Sequence, residues 1–189
     1  MSKRVFIIHG WDGSPEEGWF PWLKQELEQR EYIVFVPAMP ETEDPKITVW
    51  VDKLRSVVGV PDKETYFVGH SIGCQTILRY LEALPVEQKV GGVVFVAGWL
   101  ALKNLEEDDV LIAKPWLETA IDFEKVELHT NKMVAIFSDN DSVVPFEENK
   151  KFFTERVGAK VIVESQKGHF NGSDGITELP SALNSLLEF

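Results

Sequence analysis

The stretch that decides the fold is Thr65-Tyr66-Phe67-Val68-Gly69-His70-Ser71-Ile72-Gly73. Its first four residues have the apolar, β-rich composition of a short buried strand. The pattern G-x-S-x-G follows at once, and apolar residues at helical spacing come after Ser71. Because the glycines allow a turn too sharp for larger side chains, a strand, this turn and a helix together form a nucleophile elbow. The stretch therefore predicts an exposed serine hydroxyl at the N-terminus of a helix.

Five more apolar runs flank this unit and extend the same architecture. The six predicted strands are Arg4–Ile8, Tyr32–Val36, Thr65–Val68, Val90–Val96, Met133–Phe137 and Lys160–Val163. Helical patterns alternate with them, at Ser14 to about Arg30 (opened by an S-x-x-E capping box), Ile47–Val58, Ser71 to about Pro85, Glu147–Val157 and Pro180–Leu187. Nearly continuous apolar strands are typical of a parallel sheet that is covered on both faces. The pattern predicts an α/β fold with a doubly wound, mainly parallel six-stranded sheet and helices on both faces.

One segment, residues 98–126, is too long for a simple crossover between the fourth and fifth strands. Its aromatic and apolar residues predict a lid or a wall of a substrate pocket, formed by Trp99, Leu100, Trp116 or Leu117. The acidic run at 106–109 is interpreted as a solvated surface, with selection against anionic substrates as the alternative. No linker or repeat divides the chain, so residues 1–189 are expected to form one domain.

Composition excludes several classes of function. The 189 residues include 19 basic and 31 acidic side chains, a formal net charge of −12, which disfavours nucleic acid or an anionic membrane as partner. The single cysteine, Cys74, excludes an internal disulfide and a multi-thiolate metal site, and no cofactor is predicted. Neither a signal peptide nor a membrane span is apparent, so a cytoplasmic location is expected.

A nucleophilic serine needs a base, and His169 is the strongest of four histidines. It lies in a glycine-flanked loop just past the last predicted strand, where open α/β sheets place their sites. A carboxylate should orient that imidazole. Two candidates, Asp139 and Asp141, follow the fifth strand, and we favour Asp141 because it begins a D-x-x-V-P stretch. The order Ser71, Asp141, His169 is that of the α/β-hydrolases.

Backbone amides are expected to bind the oxyanion that forms during acyl transfer. The turn His9-Gly10-Trp11 follows the first strand, so the amide of Trp11 can meet that of Ile72, the residue after the nucleophile. His9 and His70, which lie in turns directly after strands, are further candidate pocket residues.

Taken together, these motifs resemble the α/β-hydrolase superfamily. Within this superfamily, the chain resembles the small branch of retinoblastoma-binding-protein-nine-like serine hydrolases. This resemblance rests on the short chain and on the segment Trp19-Phe20-Pro21-Trp22-Leu23. The resemblance runs almost from end to end. It implies a trimmed sheet, a triad of Ser71, Asp141 and His169, and a substrate among small esters or amides.

The sequence therefore predicts a serine hydrolase that cleaves a small-molecule ester or amide through an acyl-enzyme. Two alternatives stay open. A thioesterase or an acyltransferase would use the same triad. A catalytically weak binding module would keep the fold and present residues 98–126 to a partner.

Overall fold

The computed structural model describes residues 2–189, which form a single parallel sheet with helices on both sides. Its strands are β1 (Arg4–Ile8), β2 (Ile33–Phe35), β3 (Thr65–His70), β4 (Gly92–Val96), β5 (Met133–Ser138) and β6 (Lys160–Glu164). They lie in the order β2-β1-β3-β4-β5-β6, and every neighbouring pair is parallel. The predicted six-stranded doubly wound sheet is confirmed.

Helices cover the two faces of the sheet unequally. They are α1 (Phe20–Glu28), α2 (Ile47–Val58), α3 (Ile72–Glu82), α4 (Glu107–Glu118), α5 (Phe123–Glu127), α6 (Phe146–Glu155) and α7 (Pro180–Leu187). Helices α1 and α7 bury their apolar sides in one core cluster, and helices α2 to α6 contribute to the cluster on the opposite face. Crossover connections between parallel strands are right-handed, so the direction in which the chain moves across the sheet decides which face a helix covers. The chain moves one way from β1 to β2 and the opposite way from β2 to β6, which places α1 on one face and α2 to α6 on the other.

The start of α1 differs from its sequence prediction. The capping-box pattern at Ser14 predicted a helix from that point, but α1 begins at Phe20. Gly18 has a φ of +54°, in the left-handed region, and a Cβ there would lie 3.2 Å from the carbonyl oxygen of Ile176. The backbone of Gly18 therefore packs closely on the segment after β6, and this tertiary contact overrides the local helical signal.

The long segment between β4 and β5 contains two helices, α4 and α5. Glu107, Asp108 and Asp109 occupy the first turn of α4, where carboxylates complement the positive end of the helix dipole. Within residues 2–189 no helix combines the length and the apolar composition needed to cross a bilayer.

Candidate active site

The candidate site residues lie at one edge of the sheet, in or next to the loops that follow five of its strands. Since all strands are parallel, the residues that follow β1, β3, β4, β5 and β6 meet at the carboxyl ends of those strands. Residues from all five of these loops line one cavity of about 500 Å³. They include Trp11, Ser71, Trp99, Val143 and His169.

Ser71 sits in the sharp turn that the G-x-S-x-G pattern predicted. Its φ is 53° and its ψ −121°, a conformation that L residues rarely adopt, and α3 begins at the next residue. A Cβ at Gly73 would lie 2.4 Å from the carbonyl oxygen of Ile8, and one at Gly69 would lie 2.7 Å from the amide nitrogen of Cys74. Both glycines are therefore required by the close approach of backbone to backbone around Ser71.

His169 and Asp141 form a hydrogen-bonded pair. His169 Nδ1 lies 2.8 Å from Asp141 Oδ2. The other oxygen of Asp141 accepts hydrogen bonds from the amides of Val143 and Val144, at 2.9 and 3.0 Å. Burial alone would raise the pKa of Asp141, but the hydrogen bond and charge of His169 and the two amide hydrogen bonds together hold this pKa below its ordinary value. Asp141 is thus an ionised acceptor, which assigns the proton on the neutral His169 ring to Nδ1 and leaves Nε2 as the free base.

Asp139, the competing carboxylate, lies elsewhere. It is exposed, and it accepts hydrogen bonds from the amide of Gln166 and the hydroxyl of Ser165, each at 2.8 Å. These hydrogen bonds, the one from the Gln166 amide first, lower the pKa of Asp139. Asp139 therefore joins the loop after β5 to the loop after β6, whereas the carboxylate bonded to His169 is that of Asp141.

The backbone of His169 is held by hydrogen bonds at both its amide and its carbonyl. Its amide donates to Asp174 Oδ2 at 2.9 Å, and its carbonyl accepts from His70 Nε2 at 2.8 Å. Burial, and then the neighbouring charge of His169, lowers the pKa of His70 to about 3, so its ring stays neutral and donates through Nε2. The sequence analysis did not select Asp174. A sequence pattern that could have indicated Asp174 is the N-x-x-D spacing of Asn171-Gly172-Ser173-Asp174. These residues form a capping box shortly after His169.

The first-strand loop lies against Ser71. A Cβ at Gly10 would be 3.4 Å from Ser71 Cβ, which places the turn beside the elbow. The amides of Asp12 and Gly13 donate to the backbone carbonyls of Thr42 and Gly10, respectively. By contrast, neither Trp11 nor Ile72 donates its amide hydrogen to another group within residues 2–189. The two amides predicted to bind an oxyanion are therefore free to do so.

The remaining predicted pocket residues have varied positions. Trp99 lines the cavity, and its Nε1 lies 3.3 Å from Ser71 Oγ. Leu100, Trp116 and Leu117 lie outside the lining of this cavity, and Trp116 is buried with its Nε1 donating to the carbonyl of Pro45. His9 is also fully buried. Its two ring nitrogens are bonded to the Gly10 carbonyl and the Met39 amide, so His9 supports the turn from beneath.

Residues 98–126 contribute other side chains to the cavity, namely Leu102, Leu105 and Asp109. The acidic run is thus more than a solvated surface, because one of its members faces the site. Asp12, Glu17 and Asp174 also line the cavity, and within residues 2–189 no lysine or arginine does so. Sequence reasoning missed these residues because they come from loops that meet only in the folded chain.

Ser71 Oγ has one hydrogen-bond partner within residues 2–189, and this partner is Trp99. Ser71 and His169 line the same cavity without a direct hydrogen bond in this geometry. Nucleophile–base hydrogen bonds commonly tighten only when substrate is in place. Burial raises the pKa of the neighbouring Cys74 thiol, which favours its protonated and less nucleophilic form. Within residues 2–189, no group of three or more His, Cys, Asp or Glu side chains is placed to hold a metal ion.

Known proteins are similar to this chain over nearly its whole length. The serine hydrolase family matches residues 5–188. YdeN of Bacillus subtilis is 31% identical over 190 residues, which cover 100% of this chain and 97% of YdeN. The serine hydrolase RBBP9 of Rattus norvegicus is 22% identical, over 97% of this chain and 95% of RBBP9.

Solved structures give the same result. The crystal structure of YdeN superposes with a TM-score of 0.90, over 99% of this chain and 98% of that one, at 30% identity. Est1E of Butyrivibrio proteoclasticus, solved with ferulic acid, has a TM-score of 0.74 over 98% of this chain and 87% of Est1E. At 17% identity, that similarity shows the fold alone. The chain therefore belongs to the serine hydrolase family of the α/β-hydrolase fold, in the branch that contains YdeN and RBBP9.

Proposed function

We propose that this protein cleaves small carboxylic esters or amides through an acyl-enzyme on Ser71. The observation that carries the proposal is the 2.8 Å contact between His169 Nδ1 and Asp141 Oδ2 in the loops beside Ser71. In this arrangement a buried carboxylate holds the imidazole with Nε2 free to accept a proton. The elbow geometry of Ser71 supports the same reading, since a strained backbone persists where the surrounding structure over-determines it.

The proposed reaction has two halves. Ser71 Oγ attacks the substrate carbonyl carbon while its proton passes to His169 Nε2, and the amides of Trp11 and Ile72 bind the resulting oxyanion. His169 then gives the proton to the leaving alcohol or amine. In the second half a water molecule loses a proton to His169 and attacks the acyl-enzyme, and Ser71 leaves as it regains its proton. These steps need no cofactor.

A fluorophosphonate probe should label the protein once, on Ser71. The probe requires a serine that a neighbouring base activates. Three serines line the cavity with His169, namely Ser71, Ser142 and Ser173, and of these Ser71 lies in the strained turn at the start of α3. Mass spectrometry of the labelled peptides checks the position. Labelling of another serine would contradict the assignment. Complete absence of labelling and of ester hydrolysis would favour the alternative of a catalytically weak binding module. A thioester that is cleaved much faster than the matching oxygen ester would identify the protein as a thioesterase.

The negative charge of the cavity supports a preference for neutral over anionic substrates. Burial, together with the negative charges of Glu43 and Asp109, raises the pKa of Asp12, as expected where carboxylates crowd one another. Asp12 and Asp109 both line the cavity and neither has an ion-pair partner within residues 2–189. An anionic substrate would therefore enter an unfavourable potential.

We expect a p-nitrophenyl ester whose acyl chain ends in a carboxylate to react about tenfold more slowly, in kcat/KM, than a neutral ester of equal length. Asp109→Asn should narrow this difference, and so should added salt, because screening weakens interactions between partly exposed charges. Asp108→Asn is the matched control, since Asp108 is exposed on the same helical turn but does not line the cavity. Equal rates for the two esters at low ionic strength would contradict the proposed selectivity.

A further inference from the structure

The hydrogen bond between Trp99 and Ser71 has no role in the reaction described above. Trp99 Nε1 lies 3.3 Å from Ser71 Oγ, and the two residues are 1% and 8% exposed. A buried indole N–H normally requires an acceptor, and here the acceptor is the proposed nucleophile. We propose that Trp99 is a further catalytic residue, whose N–H stabilises the negative charge that develops on Ser71 Oγ. This inference rests on the proposed function.

The backbone of Trp99 is fixed to the helix that begins at the nucleophile. Its carbonyl accepts a hydrogen bond of 3.1 Å from Gln75 Nε2, and Gln75 is fully buried on α3. Gln75 Oε1 in turn accepts from Arg79 Nη2 at 3.1 Å, one turn further along the same helix. Since α3 starts at Ile72, this network sets the distance between Trp99 and Ser71.

The residues after Trp99 are fixed to a second helix. The amides of Leu100 and Ala101 donate to Asn149 Oδ1, at 2.7 and 3.1 Å, and Asn149 is fully buried on α6. Helix α6 directly follows the loop that carries Asp141. The indole is therefore held in place relative to both the nucleophile and the orienting carboxylate. A donor that is fixed and buried in this way stabilises charge without reorganising during the reaction.

The chemistry of tryptophan suits this role. The indole N–H donates and cannot accept, so Trp99 keeps its own proton and does not compete with His169 for the proton of Ser71. During acylation Oγ loses its proton to His169 as the bond to the carbonyl carbon forms. During deacylation the C–Oγ bond breaks and its electron pair returns to Oγ until His169 returns the proton. Negative charge develops on Oγ in both steps, and a donor to that atom lowers both barriers.

The chain provides a matched control in Trp116. Trp116 is also 1% exposed, and its Nε1 donates to the backbone carbonyl of Pro45 at 2.8 Å. Trp99 and Trp116 are thus the same kind of buried indole with one N–H hydrogen bond each. They differ in that Trp99 alone is bonded to the nucleophile.

The test replaces each tryptophan by β-(3-benzothienyl)alanine, in which sulfur takes the place of N–H while the ring keeps nearly the same shape. Trp99→Phe is a second variant made by ordinary mutagenesis. At Trp99 we expect the rate constant for fluorophosphonate labelling, and kcat for p-nitrophenyl acetate, to fall about 10- to 100-fold. This is somewhat less than the roughly 10²- to 10³-fold effect of removing an oxyanion-hole donor, because the contact is long. KM and the shape of the pH profile should be retained, since the base is unchanged. The Trp116 isostere should react at the wild-type rate.

The outcomes separate this inference from the proposed function. If the wild-type protein is not labelled on Ser71 and hydrolyses no ester, both are wrong. If the wild type reacts but the Trp99 isostere reacts equally fast or faster, the role of Trp99 is overturned and the proposed function stands. Equal losses of rate in the Trp99 and Trp116 isosteres would also overturn it, because they would show a general effect of losing a buried hydrogen bond.

Discussion

Ser71→Ala is expected to lower kcat for a short p-nitrophenyl ester by at least about 10⁴-fold. Removal of the attacking oxygen eliminates the acyl-enzyme route, and serine hydrolases then keep only the small acceleration that their oxyanion donors provide. The methyl group of alanine fits wherever the serine Cβ already fits, so the fold should be retained. Steady-state kinetics with p-nitrophenyl acetate measures the effect, and circular dichroism checks the fold.

Ser185→Ala provides the control for that measurement. Ser185 is 3% exposed on α7, its hydroxyl donates to the carbonyl of Ser181 at 2.7 Å, and neither residue lines the cavity. This variant loses a buried hydroxyl and its hydrogen bond, which costs about 1 kcal/mol of stability, but it should keep wild-type kinetics. Hydrolysis that survives Ser71→Ala at more than a few per cent of the wild-type rate would show that another group is the nucleophile.

The elbow could be predicted from sequence because its signal is local. A run of apolar residues, two glycines around a serine and a helical pattern all lie within residues 65–84. The close approach of Ile8 to Gly73, which also requires the small residue, agrees with that signal. The helix α2 was predicted with its observed bounds, Ile47–Val58, for the same reason. The bounds of such a helix follow from the local spacing of its apolar residues and depend little on contacts with distant parts of the chain.

Predictions failed where a distant segment intervenes. The signal at Ser14 was valid locally, but the packing of Gly18 on the segment around Ile176 delays α1 to Phe20. Helix α4 gave no clear signal, since its apolar residues are only weakly gathered on one face and Pro115 lies in its last turn. The burial of Ala113 and Trp116 against the rest of the chain stabilises it.

The lining of the cavity is the part that sequence could not supply. Asp12, Asp109 and Asp174 are widely separated along the chain, and no pattern within any one loop indicates that they face the same space. The bond from Trp99 to Ser71 is of the same kind, because it joins residues 28 positions apart. The sequence predicted Trp99 as a wall of the pocket, but only the folded structure shows its N–H directed at Ser71 Oγ.

Asp141→Asn is expected to lower kcat by about 10²- to 10⁴-fold while the protein stays folded. The amide oxygen of asparagine can still accept the hydrogen bonds of Val143 and Val144, which now reach Asp141 Oδ1 at 2.9 and 3.0 Å. The amide nitrogen would then face His169 Nδ1 and donate to it. The imidazole would be held with its proton on Nε2, the atom that has to accept the proton of Ser71. Kinetics with p-nitrophenyl acetate measures the loss.

Asp139→Asn isolates this effect, because it makes the same chemical change two residues earlier in the same loop. Asp139 is exposed and accepts hydrogen bonds from the Gln166 amide and the Ser165 hydroxyl, each at 2.8 Å. An asparagine oxygen can keep one of these bonds, and His169 is untouched, so the loss in kcat should stay below about tenfold. If Asp139→Asn were the inactive variant and Asp141→Asn the active one, the two aspartates would exchange roles. If both variants stayed active, His169 would work without an orienting carboxylate, and the 2.8 Å contact to Asp141 would serve only to hold the loop.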